Sequence, residues 1–170
     1  MNKSMPHSAL LNAIQTLIEE SRQQIAITVN ASMSMLYWQI GKKINDAIAG
    51  QNRSDIYGKQ IVSTLWRQLA SEYGTVFSEK NLRRMMQFAE VFPDEKIVVS
   101  LIRQLSWTHI IAIIPIKDPL KREFYIEMCK IEKWSVRTFR ERINSMLFER
   151  TAISKKPEQT IQKNIFVNTN

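Results

Sequence analysis

The sequence predicts an all-α protein: a multi-helix domain with a helix-turn-helix-like core and a long N-terminal helix. Three observations lead to this fold class. Only 4 glycines and 5 prolines occur in 170 residues, which is few for a turn-rich β architecture. Apolar residues recur in steps of three and four along most of the chain, as they do on one face of a helix. Residues that commonly cap helices stand directly before several such segments: Ser78, Ser106, Asp118 and Ser135.

The first helix is predicted over residues 8–48, where steps of three and four dominate the apolar spacing, and Gly50 is a plausible stop signal. Gly41 lies inside this helix, where glycine costs about 1 kcal/mol relative to alanine. A close helix crossing or a kink would explain it. The apolar stripe is longer than a compact domain of this size easily covers. It must therefore pack on the rest of the chain or on a second copy, which predicts a homodimer through this helix.

Six further helices are predicted from periodicity and from their start and stop signals, at 57–73, 79–92, 95–105, 107–114, 119–133 and 136–150. Residues 51–54 read as a polar connection. The triplet Ile97, Val98 and Val99 is the one strand-like spot, which would allow a short β ribbon. Periodicity fails after residue 150. The predicted organisation is thus one helical domain over 8–150 and a flexible tail or linker over 151–170.

The segment 61–92 has the layout of a helix-turn-helix, with Gly74 in the turn and Ser78 before the second helix. The second helix of that motif reads base edges in the DNA major groove. Leu82, Met85, Met86 and Ala89 can face the core. The outer face would then present the candidate DNA contacts Lys80, Asn81, Arg83, Arg84 and Gln87. The alternative is an ordinary helical hairpin with a solvated polar face.

The net charge of the chain is +8, and most basic side chains lie between residues 61 and 150. A strongly basic balance favours a polyanionic partner, most often nucleic acid, although a chain can also be merely basic. Arg67 and Arg103 are the candidate phosphate clamps outside the second helix of the hairpin. DNA is therefore the predicted partner.

Nothing in the sequence predicts catalysis, a metal site or a cofactor. The single cysteine, Cys129, excludes an internal disulfide and is expected to be a small buried hydrophobe. His109 lies among apolar residues and is expected to be structural. The run Asp94-Glu95-Lys96 superficially offers the carboxylate-x-Lys triplet of a nuclease. No aspartate stands between Ile56 and Pro93 to act as the upstream ligand, so a surface turn is expected.

No apolar run reaches the ~18 residues that a membrane-spanning helix needs, and residues 1–7 do not resemble a signal peptide. The sequence therefore predicts a cytoplasmic protein with no membrane partner.

Several multi-residue pieces occur in an order that resembles the N-terminal domain of the YhcG-like family. They are Tyr37-Trp38-Gln39-Ile40-Gly41, Tyr57-Gly58, Phe77-Ser78-Glu79-Lys80-Asn81-Leu82, Leu105-Ser106-Trp107-Thr108-His109, Trp134-Ser135-Val136-Arg137 and Phe148-Glu149-Arg150. The resemblance covers roughly residues 11–150. That family consists of bacterial proteins that join a helical, winged-helix or helix-turn-helix-like front half to a C-terminal nuclease domain of the PD-(D/E)xK superfamily.

The resemblance implies a non-catalytic module that binds DNA or positions a linked or partner nuclease on DNA. The catalytic carboxylates and lysine of such proteins belong to the C-terminal half. The alternative function is a protein–protein interaction or dimerisation module, with the first helix as its contact surface and with no direct DNA contact.

Overall fold

The computed structural model describes residues 7–50 and 55–154, and within them all regular structure is helical. The helices are α1 (His7–Ala49), α2 (Asp55–Tyr73), α3 (Glu79–Val91), α4 (Glu95–Ile102), α5 (Trp107–Ile113), α6 (Pro119–Glu132), α7 (Val136–Asn144) and α8 (Leu147–Ser154). The expected connection over 51–54, the first six residues and the expected tail from 155 onward lie outside the described residues. The predicted all-α class and long N-terminal helix are confirmed for the described part of the chain.

The C-terminal half of α1 packs across α3, and Gly41 stands at the crossing point. A Cβ atom at Gly41 would lie 1.9 Å from the carbonyl oxygen of Met85, so any side chain here would collide with the α3 backbone. Next to this contact, Asn45 Nδ2 donates to the carbonyl oxygen of Met86 over 2.9 Å. The prediction of a close helix crossing at Gly41 is therefore confirmed.

The core divides into two clusters that meet along α3. The smaller cluster lies between α1, α2 and the first turns of α3, and includes Tyr37, Ile44, Val62, Leu82 and Met85. The larger cluster gathers the end of α3 with α4, α5, α6 and α7; its members with little or no exposure include Phe88, Val98, Ile110, Phe124, Tyr125 and Phe139. α3 therefore occupies the centre of the domain, which decides how much of its surface can meet a ligand.

The β ribbon that residues 97–99 would allow is absent from the part of the chain described here, because these residues lie within α4, as the helix prediction for 95–105 had it. The Asp94 side chain accepts from the Lys96 backbone N–H over 2.8 Å and caps this helix. Val98, Leu101 and Ile102 then recur at helical spacing and are buried. The described residues hold no strand that could form a wing, so the winged-helix expectation finds no support in them.

The predicted single helix over 136–150 is wrong, because it is two helices separated by a break. Met146 adopts a left-handed conformation with φ 55° and turns the chain between α7 and α8. The hydroxyl of Tyr125 bridges the break: it donates to the Arg142 carbonyl (3.3 Å) and accepts from the Phe148 N–H (3.2 Å). α8 ends at Ser154, four residues beyond the end of the predicted helix.

The N-terminal half of α1 makes almost no contact with the rest of the described chain. Large apolar side chains along it are exposed, including Leu17 (64%), Ile25 (61%) and Val29 (56%). Leu11, Ile18, Ile25, Val29 and Leu36 form a stripe, which we call the outer stripe. At 100° per residue the outer stripe lies about 120° around the helix from Tyr37, Trp38 and Ile44, which face the core. α1 therefore carries two apolar faces on different sides of the helix.

Candidate nucleic-acid interface

The predicted helix-turn-helix pair corresponds to α2 and α3, joined by residues 74–78. Gly74 has φ 94°, a conformation that favours glycine, and it is followed by a short 3-10 turn, Thr75–Phe77. Ser78 occupies the N-cap position of α3 as predicted, but its side chain makes no capping hydrogen bond. Asn81 supports the turn instead, because its Nδ2 donates to the Val76 carbonyl over 3.0 Å.

The exposed face of α3 is narrower and less basic than the sequence suggested. Lys80, Arg83 and Glu90 are exposed, whereas Arg84 and Gln87 are half-buried. Arg83 pairs with Glu79 over 2.6 Å. The two exposed cations are thus accompanied by two glutamates on the same helix, Glu79 and Glu90. A phosphate backbone approaching this face would meet nearly balanced charge.

Two of the side chains on α3 that were predicted to contact DNA make hydrogen bonds within the chain. Gln87 Nε2 donates to the Ile114 carbonyl at the end of α5 over 3.1 Å, and Arg84 donates to Asn81 Oδ1 over 3.1 Å. Gln87, which was predicted on the outer face of α3, is therefore half-buried and bonded within the chain. The cause is the central position of α3, which other helices approach from several sides.

The apolar side of α3 faces the core, as predicted, and it contributes to both core clusters. Leu82 and Met86 belong to the cluster that contains Leu65 and Leu69. Ala89 lies in the larger cluster instead, because α3 passes from one half of the core to the other along its length.

The two expected phosphate clamps are on other elements. Arg67 is exposed on α2, and Arg103 is exposed at the C-cap of α4. The seven predicted DNA contacts are therefore spread over three elements, with five of them on α3. Their role in binding stays a prediction.

A second helix pair was not singled out from the sequence, although its signals were visible. α6 and α7 are joined by the three residues 133–135, and the first of them, Lys133, is left-handed with φ 52° and ψ 41°. Ser135 caps α7 by accepting from the Thr138 N–H over 3.2 Å. A turn of three or four residues is typical of a helix-turn-helix. The cap at Ser135 and the arginines after it could have indicated this pair.

His109 is structural, as predicted, and it holds the α6–α7 turn in place. Its Nδ1 accepts from the Ser106 backbone N–H (3.3 Å), which leaves Nε2 as the donor to the Trp134 carbonyl (3.0 Å). Burial lowers the pKa of His109, the hydrogen bond to Trp134 opposes that change, and nearby Arg140 lowers the pKa further. The imidazole is therefore held in the neutral form that these bonds require.

The remaining candidate groups offer no arrangement for chemistry among the described residues. Cys129 is buried, as predicted, and burial raises the pKa of its thiol to about 11, which disfavours the reactive thiolate. Asp94, Glu95 and Lys96 are exposed at the start of α4, so the expected surface turn is the first turn of a helix. Within residues 7–50 and 55–154, no three His, Cys, Asp or Glu side chains converge as metal ligands. No helix in this part of the chain is long and apolar enough to cross a membrane.

The fold and its exposed cations define an all-helical domain with two candidate helix-turn-helix pairs. Residues 13–150 match the model of the DUF1016 N-terminal domain, and the chain belongs to that family. This match confirms the resemblance to the N-terminal domain of YhcG-like proteins.

The chain is also 26% identical over 176 aligned residues to the Escherichia coli (strain K12) protein named "Putative nuclease YhcG". The alignment covers 86% of this chain and 47% of that protein, so the chain spans about half the length of its curated relative. No solved structure matches.

Proposed function

We propose that this chain is a DNA-binding or targeting module of a nuclease and that it does not itself cleave DNA. The observation that carries the proposal is its family membership, together with a curated relative that bears a nuclease name and is about twice as long. A domain that accompanies a nuclease gains a function if it contacts the same nucleic acid. A linked or partner nuclease domain would supply the catalytic carboxylates.

The charge of the chain supports contact with DNA. The net charge of +8 suits a polyanion, and exposed cations occur on α2, on α3 and after α4, at Arg67, Lys80, Arg83 and Arg103. Arg84 is half-buried and hydrogen-bonded to Asn81, so it can approach a phosphate only from the edge of α3. Asn81 and Gln87 are engaged within the chain and would need to exchange partners to read a base.

The test is DNA binding as a function of salt. A labelled duplex is titrated with the protein at two or more salt concentrations. Phosphate contacts release counterions, so log affinity should fall with log salt by about 0.9 for each contact. Four to seven contacts predict a slope of about −4 to −6. No binding at low salt, or an affinity that ignores salt, would refute the proposal.

The outer stripe of α1 favours a second candidate function, which is self-association. It presents Leu11, Ile18 and Ile25 at intervals of seven residues, a spacing that suits pairing with another helix. Its side chains are exposed within the described structure, and an apolar patch of this length commonly marks an interaction site. We propose that a second copy of this chain covers it.

Charge decides which way the two copies would run. Residues 8–29 carry two glutamates and one arginine, so the positive excess of the chain lies outside this segment. In a parallel pair of α1 helices, the positively charged remainders of the two chains would lie side by side. Antiparallel helices would place them at opposite ends of the pair, about 30 Å apart, well beyond the ~8 Å screening length at physiological salt. The antiparallel pair is therefore the proposed arrangement.

A further inference from the structure

The helix pair α6–α7 has features of a recognition unit that α2–α3 lacks. Its turn contains three residues and begins with the left-handed Lys133, whereas the turn between α2 and α3 contains five residues and a 3-10 segment. A short turn between two helices is the arrangement that presents the second helix to the major groove. The second helix here is α7.

The outward side of α7 is densely basic. Within its nine residues α7 holds three arginines and one glutamate, and Lys133 stands just before it. Arg137, Arg140 and Arg142 are all exposed. The Arg137 side chain is 89% exposed and pairs with Glu141 over 3.0 Å. An exposed pair of this kind contributes little to stability and is readily exchanged for a phosphate.

Contacts on the buried side of α7 nevertheless fix the helix against the core. Phe139 is fully buried and packs edge-on against His109 and Tyr125, with ring centres 5.7 Å and 6.2 Å apart. The carbonyl oxygen of Trp134 in the turn accepts from His109 Nε2. The guanidinium of Arg142 stacks over the Trp134 ring at 5.7 Å. Contacts on the inner side therefore fix the helix without using Arg137 or Arg140.

We propose that α7 is the principal DNA-contacting helix of this domain, with Arg137 and Arg140 as contacts to the phosphates of duplex DNA. The inference rests on the proposed function and specifies its surface. On α3 the outward cations share the helix with Glu79 and Glu90, and Gln87 is bonded to α5. On α7 the outward cations outnumber the single glutamate, and two of the three arginines have no role in holding the core.

The test compares two matched double variants of the full chain: Arg137→Ala with Arg140→Ala on α7, and Lys80→Ala with Arg83→Ala on α3. Each removes two exposed cations. The α7 variant should weaken binding to a labelled DNA duplex at least tenfold and reduce the salt slope by about 2, since each lost phosphate contact lowers the slope by about 0.9. The α3 variant should weaken binding less than the α7 variant does, because Glu79 and Glu90 on the same helix already offset the charge of its cations. Circular dichroism melting should show both variants folded.

A third variant, Glu141→Gln, provides a gain-of-binding readout. It frees Arg137 and removes the negative charge from the α7 face, so affinity should rise several-fold. A purely structural role for α7 would not produce this rise. If the α3 variant loses as much affinity as the α7 variant, or more, the inference is overturned while the proposed function stands. If the wild-type chain does not bind duplex DNA at low salt, both are overturned.

Discussion

Gln87 shows how a single side chain acquires a role that its place in the sequence does not reveal. On an isolated α3 it would extend into solvent, as a residue that reads adenine should. In the folded domain it donates to the Ile114 carbonyl, which lies 27 positions later in the chain. Asn81 is similar, because it secures the carbonyl of Val76 in the preceding turn. Both amides therefore stabilise the fold in the free protein.

The close helix crossing at Gly41 leads to a prediction about the stability of the domain. Gly41→Ala should destabilise the domain, because the new methyl group would lie 1.9 Å from the Met85 carbonyl oxygen and push α1 and α3 apart. We expect the free energy of unfolding to fall by about 1–3 kcal/mol, because the collision outweighs the helix-propensity gain of about 1 kcal/mol. Chemical denaturation of both proteins measures the difference.

The matched control for this variant is Gly58→Ala on α2. A Cβ there would meet the Ile48 side chain at 3.5 Å, an ordinary contact distance. The same substitution should therefore be neutral or stabilising by up to about 1 kcal/mol. If both alanine variants were equally stable, the close approach of α1 to α3 at Gly41 would be disproved.

Among the helices, α1 shows the largest difference between the arrangement of apolar residues predicted from the sequence and the one in the structure. Its apolar residues were read as one long stripe, because steps of three and four recur throughout. The structure divides them into a core face near its C-terminal end and the outer stripe, on a different side of the helix. One periodic pattern can hold two faces when its phase drifts along a helix of 43 residues.

The outer stripe leads to a prediction for this element. Wild-type protein should sediment as a dimer at micromolar concentration, and Ile25→Glu should shift it to monomer, weakening the dimer at least tenfold by burying a charge in the helix pair. Gln23→Glu is the control, because it adds the same charge on the opposite side of α1. A wild-type monomer, or a Gln23→Glu variant that dissociates equally, would rule out the outer stripe as a dimer contact.

The direction of the helices can be tested in the same dimer. In an antiparallel pair Leu11 of one copy is far from Leu11 of the other, so Leu11→Cys should form no disulfide between copies under mild oxidation. In a parallel pair the same cysteines would meet and cross-link. Cys129 is buried and does not compete in this assay.

At the scale of the whole molecule, residues 13–150 match a named N-terminal domain, and the chain spans 47% of the length of the curated relative. Among the described residues, several acidic side chains serve as helix caps or as partners of single cations, such as Asp118 on α6 and Glu149 with Lys121. No three His, Cys, Asp or Glu side chains in this part of the chain converge as the ligands of a metal ion would.

At this scale we predict that the purified chain leaves supercoiled plasmid DNA intact with either magnesium or manganese. The reason is the position of Asp94, whose carboxylate caps α4 at the surface and has no neighbouring acidic cluster among the described residues. Gel electrophoresis after prolonged incubation provides the measurement, with Asp94→Asn as control. Cleavage by the wild type that disappears in Asp94→Asn would show that this triplet is catalytic.

Local chemistry was sufficient to predict most helices of the described chain, because periodicity, caps and prolines act over a few residues. Ser106, Asp118 and Ser135 cap helices where the sequence placed them, and α4 differs mainly in its end. The break at Met146 could not be predicted in this way. It depends on Tyr125, a residue about twenty positions away, whose hydroxyl bonds both sides of the turn.

The contrast between local signals and contacts distant in the chain also applies to the two candidate recognition helices. Sequence patterning predicted helices at both positions, since periodicity depends only on spacing, but it singled out only α3 as a candidate recognition helix. Which of them remains exposed depends on what packs around it. α1, α2 and the end of α5 surround α3, whereas α7 is anchored through Phe139 and leaves Arg137 and Arg140 in solvent. Only contacts between residues distant in the chain could decide this, because they determine which helix faces reach the surface.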